Sequence, residues 1–361
     1  MSDNRIIPAD GLVSHWQSPS NIALIKYWGK RPNQIPQNAS LSISLSNAVT
    51  RTYAKLLPRQ KGDSGLHLDF TFEGKHNTAF AERLKTFLDT LTKTFPFLND
   101  AYLSIESENS FPHSAGIASS ASAMSALALC LCDLEQKLKD KHVYNDEFFK
   151  KASVIARLGS GSASRSVFGG ITIWGKHKDV PGSSDEYAVP LPFESHEVYH
   201  HIKNTILIVD ASVKKISSSV GHHLMKGHPF AEARFKQAES NLSQLLEAIK
   251  NGNWNDFMRI TENEALSLHA MMMSSNPGYM LMHPNTLIVL DKLKHFREKN
   301  KVNICFTLDA GPNIHLLYPR SESAAVQSFL RDVKDYCINH AMIDDQIGYG
   351  PINIETQANE T

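Results

Sequence analysis

Ten small or turn-forming residues, Pro112-His113-Ser114-Ala115-Gly116-Ile117-Ala118-Ser119-Ser120-Ala121, join a strand-like segment to a long helical one. No other stretch restricts the fold of this chain as strongly. Before it, Leu103 and Ile105 mark a short strand running up to Asn109. After it, Ala123, Leu127, Cys130, Leu131, Leu134 and Leu138 recur three and four apart, one face of a helix. Small residues at such a junction let backbone come close to an anion. The first helical turn carries unpaired N–H groups, and the helix dipole favours negative charge there. Ser119 and Ser120 add hydroxyls able to reach phosphate oxygens or a magnesium ion. These residues alone fit either a phosphate loop or a helix start packed on a sheet. They do not form the Gly-x-x-x-x-Gly-Lys loop of Walker-type ATPases.

A chain of 361 residues exceeds what one core usually serves, so two domains are expected. The segment 178–194 is rich in Pro, Ser and Asp and reads as loops, with the boundary shortly after it, giving domains 1–198 and 199–361. In the first, residues 66–72 alternate as a half-buried strand ended by Gly74. In the second, residues 205–209 read as a strand. Phe235, Ala238, Leu242, Leu245, Leu246 and Ile249 form a helical stripe stopped by Asn251-Gly252. A further helix spans about 254–273, closed by Asn276-Pro277-Gly278. Residues 302–308 and 314–318 form two strands around Ala310-Gly311-Pro312-Asn313. The last eleven residues read as a frayed tail.

Lys plus Arg and Asp plus Glu both number 37, which removes any electrostatic case for nucleic acid or an anionic membrane as partner. A local basic pocket remains open. The four cysteines form no Cys-x-x-Cys pair and read as reduced thiols. Residues 1–17 carry no signal-peptide pattern, and no stretch is long and apolar enough for a membrane helix, so a cytoplasmic soluble protein is expected.

Three segments carry further chemistry. Lys26, Lys30 and Arg31 put three cations within six positions, interleaved with Tyr27 and Trp28 and flanked by Asn21 and Asn38. This is either a solvated basic face or a lined anion pocket, and the aromatics favour the pocket. Residues 159–170 hold four glycines, four serines and Arg165, as a polyanion site requires. A linker would match that composition, but Val167-Phe168 argue for packing. Asp309 ends an apolar strand before a Gly-Pro turn, where an aspartate commonly caps its own backbone. The 17 histidines include His196 and His200 and the adjacent His222-His223, but no His-Glu-x-x-His pattern, and no zinc centre is expected.

The loop 112–121 resembles the nucleotide signature of the GHMP kinases, which implies ATP, magnesium and a two-domain α+β fold with the active site in the cleft between domains. Four more segments resemble the diphosphomevalonate decarboxylase branch of that superfamily: Ser20-Asn21-Ile22-Ala23-Leu24-Ile25-Lys26-Tyr27-Trp28-Gly29-Lys30-Arg31 with Asn38-Ala39-Ser40-Leu41-Ser42; Gly159 to Gly170; Lys214-Lys215-Ile216-Ser217-Ser218-Ser219-Val220-Gly221; and Leu308-Asp309-Ala310-Gly311-Pro312-Asn313. The resemblance implies ATP-dependent decarboxylation of mevalonate diphosphate to isopentenyl diphosphate by a homodimer. It assigns Asp309, Arg165 and Lys26 as catalytic. Asn21, Tyr27, Trp28, Gly29, Lys30, Ser160, Gly161, Ser162, Arg165, Ser218 and Ser219 would hold substrate, with the choice among Ser217, Ser218 and Ser219 open and Ser218 preferred. Ser107, Asn109, Ser114, Ala115, Gly116, Ile117, Ala118, Ser119 and Ser120 would hold ATP, and Ser120 magnesium.

The chain also departs from the family pattern. It has His113-Ser114 where many members have Thr-Ala, and Ser164 where they have Cys. Many carry an arginine near the start of the helix after the first hairpin. Here that region reads Gly74-Lys75-His76-Asn77-Thr78, with the nearest arginine at Arg83. The neighbouring readings are a phosphomevalonate decarboxylase, a mevalonate 3-kinase-like enzyme, and a non-catalytic ligand-binding relative. The last should have lost Asp309 or the loop serines, and neither is missing.

Overall fold

The computed structural model describes residues 7–59, 65–112, 117–212 and 217–355. Its first long element, β1 (Leu12–Ile25), starts as a half-buried strand, with Ser14, Trp16 and Ser18 inward. From Ser18 onward every residue is buried, and the register against β2 (Ser40–Pro58) shifts between Pro19 and Asn21. Proline donates nothing to a ladder, so an irregularity there is expected. Strand β2 opens with a strict alternation, Ser40-Leu41-Ser42-Ile43-Ser44-Leu45-Ser46, yet both sets of side chains up to Leu45 are buried, and β1 shows no such pattern over its buried half.

The first sheet continues with β3 (His67–Phe72) and β4 (Lys75–His76), then α1 (Thr78–Thr90) and β5 (Ala101–Asn109). The long helix α2 (Ser119–Leu138) lies on β1 and β2. The expected stripe is too narrow a description of it. Leu127, Cys130, Leu131 and Leu134 are buried, but so are Ser122, Ser125, Leu129, Cys132 and Asp133 on the other sides. Two of its buried polar side chains pair with β1: Ser18 Oγ donates to Ser125 Oγ at 2.7 Å, and Ser14 Oγ to Asp133 at 2.7 Å. Leaving one such group unpaired costs about 1–3 kcal/mol. Next come α3 (Asp146–Gly159), α4 (Ala163–Ser166), β6 (Ile171–Trp174) and β7 (Ala188–Pro190). The loop-rich segment 178–194 thus contains a short strand, paired with β6.

The second half begins with β8 (Ile202–Leu207), α5 (Ser218–Leu224), α6 (Ala231–Asn251), α7 (Trp254–Met273) and α8 (Pro284–Asn300). It ends with β9 (Cys305–Thr307), β10 (Ile314–Pro319), α9 (Ser323–Val333), β11 (Met342–Gln346) and β12 (Ile352–Asn353). Strand β8 stops short of Val209 because Asn313 Oδ1 takes the Val209 and Asp210 N–H groups in place of a ladder partner. Strand β12 pairs with β1 at Trp16 and Gln17, so the expected frayed tail contributes a strand before residue 354.

Among the described residues the strands form two sheets. The larger runs β12-β1-β2-β5-β3-β4, with β6 paired to β2 and β7 to β6, and only β3–β5 is parallel. The smaller runs β11-β8-β10-β9. The fold is therefore α+β, as expected. One apolar core joins the sheets: Leu24 and Ile43 from the first, Ile206 and Leu317 from the second, with Leu242 of α6 and Phe257 of α7 between. Asp345 of β11 accepts the N–H groups of Ser46, Asn47 and Ala48, which ties the smaller sheet to β2.

Candidate active site

A cleft of about 820 Å³ opens where the two sheets meet. Its reacting end is built from three charged side chains brought from distant parts of the chain. Lys26 follows β1, Arg165 sits on α4 and Asp309 follows β9. Lys26 Nζ lies 2.9 Å from Asp309 Oδ1, with Lys26 almost fully buried. The backbone at Lys26 is clamped from the other half. Its N–H donates to Glu264 Oε2 at 2.9 Å, and that carboxylate also takes Arg234 and Asn241. Removing one partner of a buried ion pair like Arg234–Glu264 costs about 3–5 kcal/mol. Asn38 Nδ2 donates to the Lys26 carbonyl at 3.0 Å. The Asp309 carbonyl accepts from His269 Nε2 at 3.0 Å. Burial lowers the Lys26 ammonium, while Asp309 holds it up.

The Arg165 guanidinium is buried and makes no ion pair within 4 Å among the described residues. Its Nε, Nη1 and Nη2 donate to Ser42 Oγ at 2.9 Å, Ser40 Oγ at 2.5 Å and Asn21 Oδ1 at 3.3 Å. All three acceptors are neutral. Of five N–H donors, three are used and one on each Nη remains. Burial brings the group down to about 10, opposed by Asp309 and Tyr27, so it stays cationic at neutral pH. A buried cation whose charge is not locally cancelled is poised to receive an anion.

The phosphate-loop end is furnished differently. Ala118 takes the left-handed conformation (φ 44°) and α2 starts at Ser119. Ser20 Oγ donates to the Ile117 carbonyl at 2.5 Å, and Asn109 Nδ2 to Ser119 Oγ at 3.2 Å. Ile117, Ala118, Ser119, Ser120 and Ser107 line the cleft. Asn109 stands behind them, bridging Thr50 and Ser119 rather than facing the cavity. Ser114, Ala115 and Gly116 lie outside the described residues, as do Lys214 and Lys215. Ser120 Oγ lies 3.3 Å from Ser160 Oγ, so the two loops that the sequence marks as anion sites meet edge to edge.

Along the remaining wall, Asn21, Tyr27, Trp28, Lys30, Ser160, Gly161, Ser162, Ser218 and Ser219 all line the cleft. A Cβ on Gly161 would lie 2.8 Å from the Tyr27 hydroxyl, so glycine is required where α3 hands over to α4. Burial pushes the Tyr27 phenol up, keeping it a neutral donor. Ser217 lines the cleft too, but its hydroxyl accepts the Val220 N–H as the cap of α5. Gly29 contributes backbone rather than wall: its N–H donates to His222 Nδ1. Arg31, counted with the cations of the pocket, turns outward to Asp185 at 2.8 Å. Among the lining residues that the sequence reading did not assign to the site are Arg83 of α1, Gln34 and His222. Arg83 is the nearest arginine to the gap in the family pattern, and the strand alternation at Phe70 and Phe72 marks the same wall.

Both halves of the chain are similar to known proteins. Residues 18–188 match the diphosphomevalonate decarboxylase-like N-terminal domain, and residues 204–360 the mevalonate 5-diphosphate decarboxylase C-terminal domain. The diphosphomevalonate decarboxylase of Eremothecium gossypii is 30% identical over 337 residues, covering 89% of this chain and 81% of that one. The crystal structure of mevalonate diphosphate decarboxylase from Staphylococcus aureus superposes with a TM-score of 0.81 at 29% identity, covering 95% of this chain and 98% of that one. MDDEF in complex with MVAPP, AMPPCP and magnesium gives 0.79 at 27% identity, covering 94% and 98%. With two family models spanning both sheets and a relative of this identity along most of its length, the chain belongs to the diphosphomevalonate decarboxylase family, ATP-dependent decarboxylases of the GHMP fold.

Proposed function

We propose that the cleft phosphorylates the tertiary C3 hydroxyl of mevalonate diphosphate and then expels phosphate and carbon dioxide to give isopentenyl diphosphate. The observation that carries this reading is the Lys26–Asp309 contact of 2.9 Å in the same cavity as Arg165 and the Ser120–Ser160 junction.

Lys30, Tyr27, Ser160 and Ser162 anchor the non-reacting diphosphate, and that binding energy orients the other end. Ser218 and Ser219 approach from α5. The two unused N–H groups of Arg165 take the carboxylate. Asp309 steers the C3 hydroxyl and receives its proton as the γ-phosphoryl group arrives. A tertiary alcohol is too weak an acid to ionise beforehand, so the transfer is late. Lys26 and the hydroxyls of Ser119 and Ser120 offset charge on the transferred group. The C3–O bond then breaks, its electron pair leaving with phosphate. The bond from C2 to the carboxylate supplies the pair for the new double bond, and carbon dioxide departs.

ATP and magnesium are the cofactors on this reading, the ligands held by the similar MDDEF structure as AMPPCP and magnesium. The residues fit a hard cation held mainly by phosphate oxygens and water: Ser120 offers a hydroxyl at a helix start, beside Ser160. Magnesium, when bound there, neutralises phosphate charge. We further propose a division near residue 199, a homodimer, and a cytoplasmic location. Supporting the last, no helix among the described residues is long and apolar enough to cross a membrane.

The test is incubation with ATP, magnesium and either mevalonate diphosphate or mevalonate 5-phosphate, following carbon dioxide and phosphate. Release of both from the diphosphate alone is expected. Release from the monophosphate alone, or ADP without carbon dioxide, would replace this reading with one of its neighbours.

A further inference from the structure

One cleft residue has no task in the reaction above. His222, on α5, lies against the rings of Tyr27 and Trp28, with centroids 4.3 and 4.6 Å away. The backbone N–H of Gly29 donates to its Nδ1 at 3.0 Å. A neutral imidazole carries one proton, so an accepting Nδ1 leaves that proton on Nε2. Burial, reinforced by the nearby Lys30 ammonium, pushes the ring down to about 3, so this neutral tautomer persists at neutral pH. Among the described residues no hydrogen-bond partner is seen for Nε2, and His222 lines the cleft. The approach is tight on the other side: a Cβ on Gly221 would lie 2.4 Å from the Trp28 ring. Glycine there lets α5 press its next residue against the 27–30 loop.

We propose that His222 is a positioning and specificity-determining residue of the diphosphate pocket, fixing the Gly29–Lys30 backbone through Nδ1 and donating Nε2–H to a phosphate oxygen of the substrate. This rests on the diphosphate reading above. A neutral donor suits a pocket that already holds Lys30, because it adds a hydrogen bond without a second charge to desolvate. It also supplies a contact that depends on the depth of the phosphate chain, which a monophosphate would not share equally.

Two variants separate the two ring nitrogens. His222→Asn keeps an acceptor near the Nδ1 position and leaves no donor at the reach of Nε2. His222→Gln places an amide N–H near the Nε2 position. The Asn variant should raise KM for mevalonate diphosphate about tenfold, with a smaller effect on kcat and the KM for ATP within about twofold. Calorimetry should show inorganic diphosphate binding weakened by a similar factor. The Gln variant should return both to within about threefold of the parent. Equal KM values for Asn and Gln, or unchanged affinity of the Asn variant for inorganic diphosphate, would overturn the proposal. If the parent enzyme turns over only the monophosphate, the functional reading fails, while the inorganic diphosphate comparison still decides the role of His222. Should the Asn variant not fold, His222→Met, which lacks a donor, takes its place against Gln.

Discussion

The two ends of the cleft are furnished in opposite ways. At the phosphate-loop end, small hydroxyl side chains and the start of α2 line the cleft, with Ser119 partly buried and Ser120 exposed. At the reacting end, Lys26 and Arg165 are 2% exposed, and Asp309 is the carboxylate among them. Charge in so little water interacts strongly, but it must be held by other groups. Ser40, Ser42 and Asn21 hold Arg165, and Glu264, itself held by Arg234 and Asn241, holds the Lys26 backbone. The difference teaches that the nucleotide end is mostly local backbone, whereas the reacting end is mostly long-range support. Substitutions at the second should therefore be the more damaging.

The largest effect expected is from Asp309→Ala. It should lower kcat by about 10³-fold or more, with ADP release lost while mevalonate diphosphate still binds. Near-normal turnover would remove Asp309 from the mechanism and break the contrast at its centre. Arg165→Lys keeps the charge but cannot meet Ser40, Ser42 and Asn21 together. A loss of about 10²-fold in kcat is expected, and wild-type-like rates would eliminate the fork. Ser120→Ala should raise the KM for ATP by about tenfold, because one hydroxyl among several donors is removed. If this variant lost more than Arg165→Lys, the ranking of the two ends would be reversed.

The smallest effect expected concerns pH and stability. His315, deep beneath the reacting end and hydrogen-bonded to Asn204, is lowered by burial to about 4 from an ordinary value of 6.5. Asp309 opposes that shift and Lys26 adds to it. Below the ordinary value the unfolded chain takes up a proton that the folded one does not. The contribution is thus intact above about pH 6.5 and lost as pH falls toward 4, by about 1.4 kcal/mol per unit. Urea unfolding at pH 7 and pH 5 should show a smaller difference for His315→Gln than for the parent. An unchanged difference would mean that His315 is not the group responsible.

What was legible in the sequence was local. The strand before and the helix after the loop, the α6 stripe ended at Gly252, and α7 all lie where periodicity and stop signals put them. Lys26, Arg165 and Asp309 were legible through motifs, since each sits in a short distinctive segment. Arg83 and His222 were not, because neither stands in a pattern that separates a cleft residue from a surface or core one. Strands β1 and β2 were not read as strands, although Ser40 to Ser46 alternates polar and apolar; elsewhere their inward faces carry Ser and Thr that bond to α2, which blurs the pattern.

The sequence by itself determined the elements and the chemistry each could offer, because helix faces, caps and glycine turns depend on residues a few positions apart. Only the tertiary structure decided that Lys26 meets Asp309 across 283 positions, that Arg165 spends three donors on neutral acceptors, and that Arg31 points away. Such choices follow from burial and from which distant partners satisfy a charge. Those are properties of the packed chain, with no trace in the spacing of its residues.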